Sequence, residues 1–252
     1  MSVSGTNPTS TSVTSLSMTV DEFAQTLKTT SLTKQLQTIQ EVASSGDAGL
    51  HLLMDYLLAQ KLGGQSCGTI ANGKIYQILY SSSHETARQF IAQHFPQGLV
   101  ELKSDRSIDY APFQTLLADQ QFEEADRLCL LKLCELAGQS ALQRKWIYFT
   151  EVEQFPATDL HTLNTLWLIH SEGRFGFSVQ REIWLGCGQN WESLWPKIGW
   201  KSGNIWTRYP QEFTWDLTAP RGHLPLSNQL RGVRVMSALL NHPCWTVEAI
   251  AP

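Results

Sequence analysis

Tryptophan divides this chain in two. All nine tryptophans of its 252 residues lie at or after Trp146, while the first hundred residues are rich in Leu, Gln and Ser and helical in pattern. A large indole must be covered by other apolar groups or offered to a partner, whereas a stripe of leucines at helical spacing needs only a neighbouring helix. The chain therefore reads as two parts with different purposes, and its length suffices for two small domains.

The first part reads as a small bundle. Thr19 followed by Glu22 has the form of a capping box and starts a helix that runs to about Lys28. Leu32, Leu36, Ile39 and Ala43 recur at helical spacing until Ser44, Ser45 and Gly46 stop them. Leu50, Leu53, Met54, Leu57 and Leu58 mark a third helix that Gly63 and Gly64 end, and Ile70–Tyr80 and Glu85–His94 supply two more. Short helices joined by brief turns pack antiparallel. No convincing repeat is visible, and no residue here points to chemistry, so this part has a structural or docking role. Ahead of it, residues 1–18 are rich in Ser and Thr, with no apolar segment and no Lys or Arg. They read as a disordered leader, neither a secretory signal nor a transit peptide.

Pro96, Gly98 and the polar run KSDRS make residues 96–107 a linker between a bundle at 19–95 and a second domain at 108–252. In that domain Leu116 and Leu117 close a short helix. Phe122, Ala125, Leu128, Cys129 and Leu133 line one face of the next, which ends before Gly138. Thr158 or Asp159 caps a helix carrying Leu160, Leu163, Leu166 and Trp167. GRFGF is a turn and SVQREIWLG a shorter helix. A long aromatic loop region follows, and NQLRGVRVMSALLNH is the last helix. No alternating strand set appears, so the expected fold is all-α: a helical bundle plus a helical core whose long loops form a concave pocket.

Several function classes are excluded cheaply. A net charge of -4 argues against a nucleic-acid-binding body. No apolar stretch reaches the ~20 residues that span a bilayer. The five cysteines (Cys67, Cys129, Cys134, Cys187 and Cys244) are odd in number and lack CxxC spacing, so they read as reduced thiols of a cytoplasmic protein. G-x-S-x-G, P-loop and H-E-x-x-H motifs are missing. Glu151 and Glu153, two residues apart, point to different faces of a helix, and none of the seven histidines pairs at ligand spacing. No catalytic residue and no metal ligand is assigned.

The aromatic region is different. WKSGNIWTRYPQEFTWD, from Trp200 to Asp216, places five large rings among Gly, Pro, Lys201 and Arg208. Phe149, Phe155, Phe175, Phe177 and Trp195 belong to or flank neighbouring loops. Any one ring is most simply core, but rings and glycines together in loops also shape pockets. Arg231 and Arg234, at i and i+3 on an otherwise apolar helix, form either a solvated edge or an anion clamp that Lys197, Lys201, Arg208, Arg221 and His223 can join. A ligand suited to both features is large, flat, apolar and edged with carboxylates, as a tetrapyrrole with propionates is. The same residues also equip a protein-interaction module with aromatic hot spots. A haem sensor would need an axial His, Cys, Met or Tyr. The residues alone leave these readings open.

The motifs WIYFTEVEQFPATDLHTLNTLW, GRFGFSVQREIW, WPKIGWKSGNIWTR, FTWDLTAPRGHLP and LRGVRV, in that order, resemble the genomes-uncoupled (fourth locus) family of tetrapyrrole-binding regulators of magnesium chelatase. The likeness runs from about Ile108 to Leu240, and the helical first part looks like that of cyanobacterial members. The resemblance implies a non-catalytic activator that binds protoporphyrin IX and Mg-protoporphyrin IX on a greasy face between loops, with no required cofactor. It implies the large porphyrin-binding subunit of the chelatase as partner; a monomer is expected, and peripheral contact with photosynthetic membranes is left open. Phe149, Phe175, Trp206, Tyr209, Phe213, Arg231 and Arg234 match positions that line or shape the pocket. Tyr209 stands where some relatives carry Trp. Within the loop, Trp206, Tyr209 and Phe213 are expected to face the ligand, and Trp200 and Trp215 to hold the loop on the core.

Overall fold

The structure is a computed structural model that describes residues 18–64, 67–226 and 233–246. Its first five helices are α1 (Val20–Thr29), α2 (Leu32–Ala43), α3 (Asp47–Leu62), α4 (Ile70–Tyr80) and α5 (Glu85–His94). The capping box is formed. The Glu22 amide donates to the Thr19 hydroxyl at 3.3 Å, and the Thr19 amide donates to the Glu22 carboxylate at 2.8 Å. Phe23, Ile39, Leu53, Leu57, Ile75 and Leu79 meet in a mainly aliphatic core.

The chain then forms α6 (Ala111–Ala118), α7 (Phe122–Ala137), α8 (Gln139–Arg144), α9 (Phe149–Val152), α10 (Ala157–His170) and α11 (Phe177–Gly186). After α12 (Trp191–Lys197) come two-residue strands β1 (Lys201–Ser202) and β2 (Ile205–Trp206), paired antiparallel, and later α13 (Arg234–Leu240). The all-α expectation holds, with this short ladder as the strand content of the described residues. The expected last helix, Asn228–His242, is seen as α13; its first residues lie outside the described ones.

Two local expectations are corrected. Neither Thr158 nor Asp159 caps α10. The N-cap is Pro156, and Asp159 sits inside the first turn, fully buried. Its carboxylate accepts from the Ser104 hydroxyl at 2.5 Å, the Asp105 amide at 3.0 Å and the Tyr110 hydroxyl at 2.8 Å. These donors and the positive end of the helix offset the cost of burying a charge, and they tie the 103–110 stretch to the core. The aromatic region after α11 is also less irregular than the sequence suggests, because α12 and the β1–β2 hairpin lie within it.

The two parts meet where α4 crosses α10. A Cβ on Gly73 would lie 2.3 Å from the Ile169 carbonyl oxygen, so only glycine allows this approach. Ala118 and Ile169, from the second part, complete the aliphatic core of the first. Lys74 of α4 pairs with Glu172 at 2.6 Å across the joint. Two open cavities, of about 560 and 450 Å³, run along this seam; Arg221 lines the second, and Phe149, Phe175, Trp206, Tyr209, Phe213 and Arg234 line neither.

Candidate functional site

The second core is aromatic. Trp167 packs on Phe113, Phe122 and Phe175 deep inside it. Nearer the surface, indoles stack in series. Trp184 lies 4.9 Å from Trp191, Trp191 lies 5.4 Å from Trp195, and Trp195 lies 5.7 Å from Trp200, with interplanar angles of 28°, 22° and 7°. Trp206, on β2, leans on the same Trp195 at 5.6 Å. Trp191 and Trp195 are one helical turn apart, so α12 presents both rings on one face. Offset stacking of this kind adds about 0.5–1.5 kcal/mol per pair beyond area burial.

This ladder holds the hairpin in place. Trp200 is buried, and its Nε1–H donates to the His223 carbonyl at 2.8 Å. Trp215, half-buried, donates from Nε1 to the Pro210 carbonyl at 3.0 Å and so closes the turn between them. His223 lies in the same layer. Its Nδ1 is 2.6 Å from the Ile198 carbonyl, and its Nε2 accepts from the Thr214 amide at 3.3 Å. Burial lowers the His223 pKa, partly opposed by the Ile198 carbonyl. An accepting Nε2 and a donating Nδ1 fit one neutral tautomer.

On this frame the predicted site residues fall into distinct classes. Trp206, on β2 against Trp195, is 44% exposed, and Tyr209, in the following turn against Phe213 and Trp215, is 42% exposed. Lys201 lies over the Trp206 ring, 5.3 Å from its centroid. Arg234 opens α13, is exposed, and holds its guanidinium 5.6 Å from the centroid of the half-buried Phe149 on α9. Phe213 is 5% exposed and packs at 5.1 Å on His223, so it supports the wall from behind and offers no open face. Phe175 is 0% exposed and lies edge-on to Phe122 within the core. Its role is packing, because the turn before α11 points it inward. Arg231 lies outside the described residues.

Two residues that no motif signalled join these pieces. Asp126 and Arg127 are consecutive on α7. The Asp126 carboxylate accepts from the Leu226 amide at 2.7 Å, and the Arg127 Nε–H donates to the Tyr209 hydroxyl at 3.1 Å. Burial drives the Asp126 pKa up to about 7, against the opposing pull of the Leu226 amide and Arg127. The partners are 100 and 82 residues away, so no local pattern marks them. Among the described residues no group of three or more His, Cys, Asp or Glu could hold a metal ion, and no helix is long and apolar enough to cross a membrane.

Comparison with known proteins finds matches in both parts of the chain. A family model described as GUN4-like matches residues 103–243, and one described as an ARM-like repeat domain, GUN4-N terminal, matches residues 11–96. The second description names a repeat that the sequence alone does not show. The chain is 51% identical over 231 residues to a Ycf53-like protein of Synechocystis, covering 92% of this chain and 98% of that one. It is 36% identical over 138 residues to the chloroplastic tetrapyrrole-binding protein of Arabidopsis thaliana, covering 51% of this chain and 52% of that one. Among solved structures, GUN4 from Chlamydomonas reinhardtii superposes with a TM-score of 0.55 at 39% identity, over 58% of this chain and 96% of that one. The ligand-free Arabidopsis thaliana GUN4 gives 0.51 at 33% identity, over 57% and 99%. With one family model spanning more than half its length and a relative matched almost end to end, the chain belongs to the GUN4 family, in its cyanobacterial form.

Proposed function

We propose that this protein binds protoporphyrin IX and its magnesium complex against the Trp206–Tyr209 face, and that it stimulates magnesium chelatase without catalysing a reaction itself. The observation that carries this reading is the pair of half-exposed rings held rigidly from behind by Trp195, Trp200 and Trp215. Large rings kept open to solvent by buried anchors suit a flat apolar ligand. The relative named for tetrapyrrole binding supports the choice of that ligand.

Magnitudes divide the labour. Covering a few hundred Å² of macrocycle at ~25 cal/mol per Å² yields several kcal/mol before the costs of association. An exposed arginine–carboxylate pair yields only about 0–1 kcal/mol. The rings then supply affinity, while Arg234, with Arg231, supplies orientation towards the propionates. Magnesium carried in the macrocycle prefers oxygen ligands, commonly water. Ring binding therefore requires no protein ligand to the metal. The hairpin, where Ile205 is 69% exposed, offers one apolar point for the large chelatase subunit.

Titration with protoporphyrin tests the binding step, with saturable quenching of tryptophan fluorescence as the expected result. Unchanged emission at saturating porphyrin would overturn it. A chelatase assay at limiting magnesium and porphyrin, with and without the protein, tests the stimulation separately.

A further inference from the structure

Arg174 lines the smaller of the two seam cavities, and its guanidinium has no counter-charge. A guanidinium carries several N–H donors in a fixed fork. Here Nη2 donates to the Ala219 carbonyl at 2.6 Å, while Nε is buried without a partner. The other charges around the cavity are matched. Glu172 pairs with Lys74 at 2.6 Å, and Arg221 holds Glu182 through two bonds, of 3.1 and 2.5 Å. Among the described residues no carboxylate forms an ion pair with Arg174. A partly buried cation left unpaired costs stability, and a bound anion offsets that cost. The Gly222 amide also donates to the Arg174 carbonyl at 2.8 Å, so the 219–222 turn fixes both the backbone and one end of the guanidinium.

The apolar part of the wall is aliphatic. Leu32 and Leu36 of α2, Ile70 of α4, Leu168 of α10 and Val179 of α11 line it, and no aromatic ring does. Its volume of about 450 Å³ lies within the roughly 300–1,000 Å³ of small-molecule sites, which favour domain junctions. We infer that this cavity binds a medium-chain aliphatic carboxylate, whose head pairs with Arg174 and whose chain lies on the aliphatic side chains of the seam. The recognising charge comes from the second part of the molecule, and α2 and α4 of the first supply wall, so the ligand bridges the two. The absence of rings in this lining sets it apart from the Trp206–Tyr209 face, and the inference does not depend on that face binding porphyrin.

Calorimetric titration of the full chain with octanoate tests this. One octanoate should bind per chain, saturably. Octanol, the same chain without the charge, should bind about tenfold more weakly, because it forfeits the charge-assisted bonds to Arg174. Butanoate, with fewer methylenes, should also bind at least about tenfold more weakly, since each buried methylene is worth roughly three- to fourfold. Arg174→Gln should weaken octanoate about tenfold, and Arg174→Lys, which keeps the charge, should recover most of the loss. Leu32→Trp fills the cavity from its exposed rim and should abolish binding. Because Leu32 is exposed, this variant leaves the core intact and decides the matter where Arg174→Gln does not fold. Trp206→Ala should leave octanoate affinity unchanged. No saturable heat from the unaltered protein overturns the inference, as does full binding by Leu32→Trp. Octanol matching octanoate would remove the role of Arg174, and butanoate matching it would remove the aliphatic seat. Loss of octanoate in Trp206→Ala would move the ligand to the ring face and overturn the seam site.

Discussion

The two halves of this molecule solve the same problem, covering apolar surface, with different materials. The first stacks aliphatic helices whose buried residues are set by neighbours three and four positions away. The second holds its surface hairpin with a ladder of indoles from α11, α12 and the hairpin itself, and with hydrogen bonds from indole N–H groups to backbone carbonyls. An aliphatic bundle leaves little for a ligand to recognise. An aromatic scaffold can bury one ring and leave the next open while both stay rigid. The proposed binding surface accordingly lies where the packing is aromatic.

The sharpest way to break this contrast is to remove an anchor from each side. Trp200→Ala should cost about 3–5 kcal/mol of stability and abolish porphyrin quenching, because the hairpin loses its stacking partner and its bond to His223. Leu53→Ala, in the first core, should cost about 2–5 kcal/mol in the same urea titration yet leave porphyrin affinity unchanged while the protein stays folded. Equal losses of binding would mean the two cores are not functionally separate.

Next in size is the buried carboxyl of Asp126. Its pKa is raised to about 7 in the fold from an ordinary value near 4, so the folded state binds more protons than the unfolded state between those limits. The stability it contributes is present below pH ~4 and is lost as pH rises through ~7, a difference of about 2–4 kcal/mol. Urea midpoints from pH 5 to 8 should fall in the unaltered protein and flatten in Asp126→Asn. A pH-independent difference between the two would show that the carboxyl does not titrate in this range.

A smaller effect should stay inside the first half. Thr19→Ala removes the capping box of α1 and should cost about 1 kcal/mol, read by urea denaturation, with no change in porphyrin titration. The smallest effect belongs to the arginine edge. Arg234→Ala is exposed and should weaken free-acid protoporphyrin by up to about fivefold, and its dimethyl ester less. The same direction is expected for Arg231→Ala. Equal losses for acid and ester would leave these arginines without a role in carboxylate recognition.

The first half was legible because its signals are local. The Thr19–Glu22 box, the stops at Ser44–Gly46 and Gly63–Gly64, and the spans Ile70–Tyr80 and Glu85–His94 all appear as read. In the second half, local rules misled at Asp159, whose three donors, from Ser104, Asp105 and Tyr110, lie 49 to 55 residues earlier. They also missed α12, where tryptophans in a Gly- and Pro-flanked stretch suggested loop. Trp191 and Trp195 at i and i+4 were the available sign of a helix.

By itself the sequence determined the helical class and the family, because periodicity, capping and ordered motifs are properties of neighbouring residues. Only the tertiary structure decided which rings are anchors and which are open. Trp200, Phe213 and Phe175 are buried while Trp206 and Tyr209 are not, although all five are large aromatics. Exposure depends on what packs above a ring, and here that cover is supplied by His223 on Phe213, by Trp195 on Trp200 and by Phe122 of α7 against Phe175. Those contacts are set by how the elements pack on one another, and so which ring stays open is decided in three dimensions.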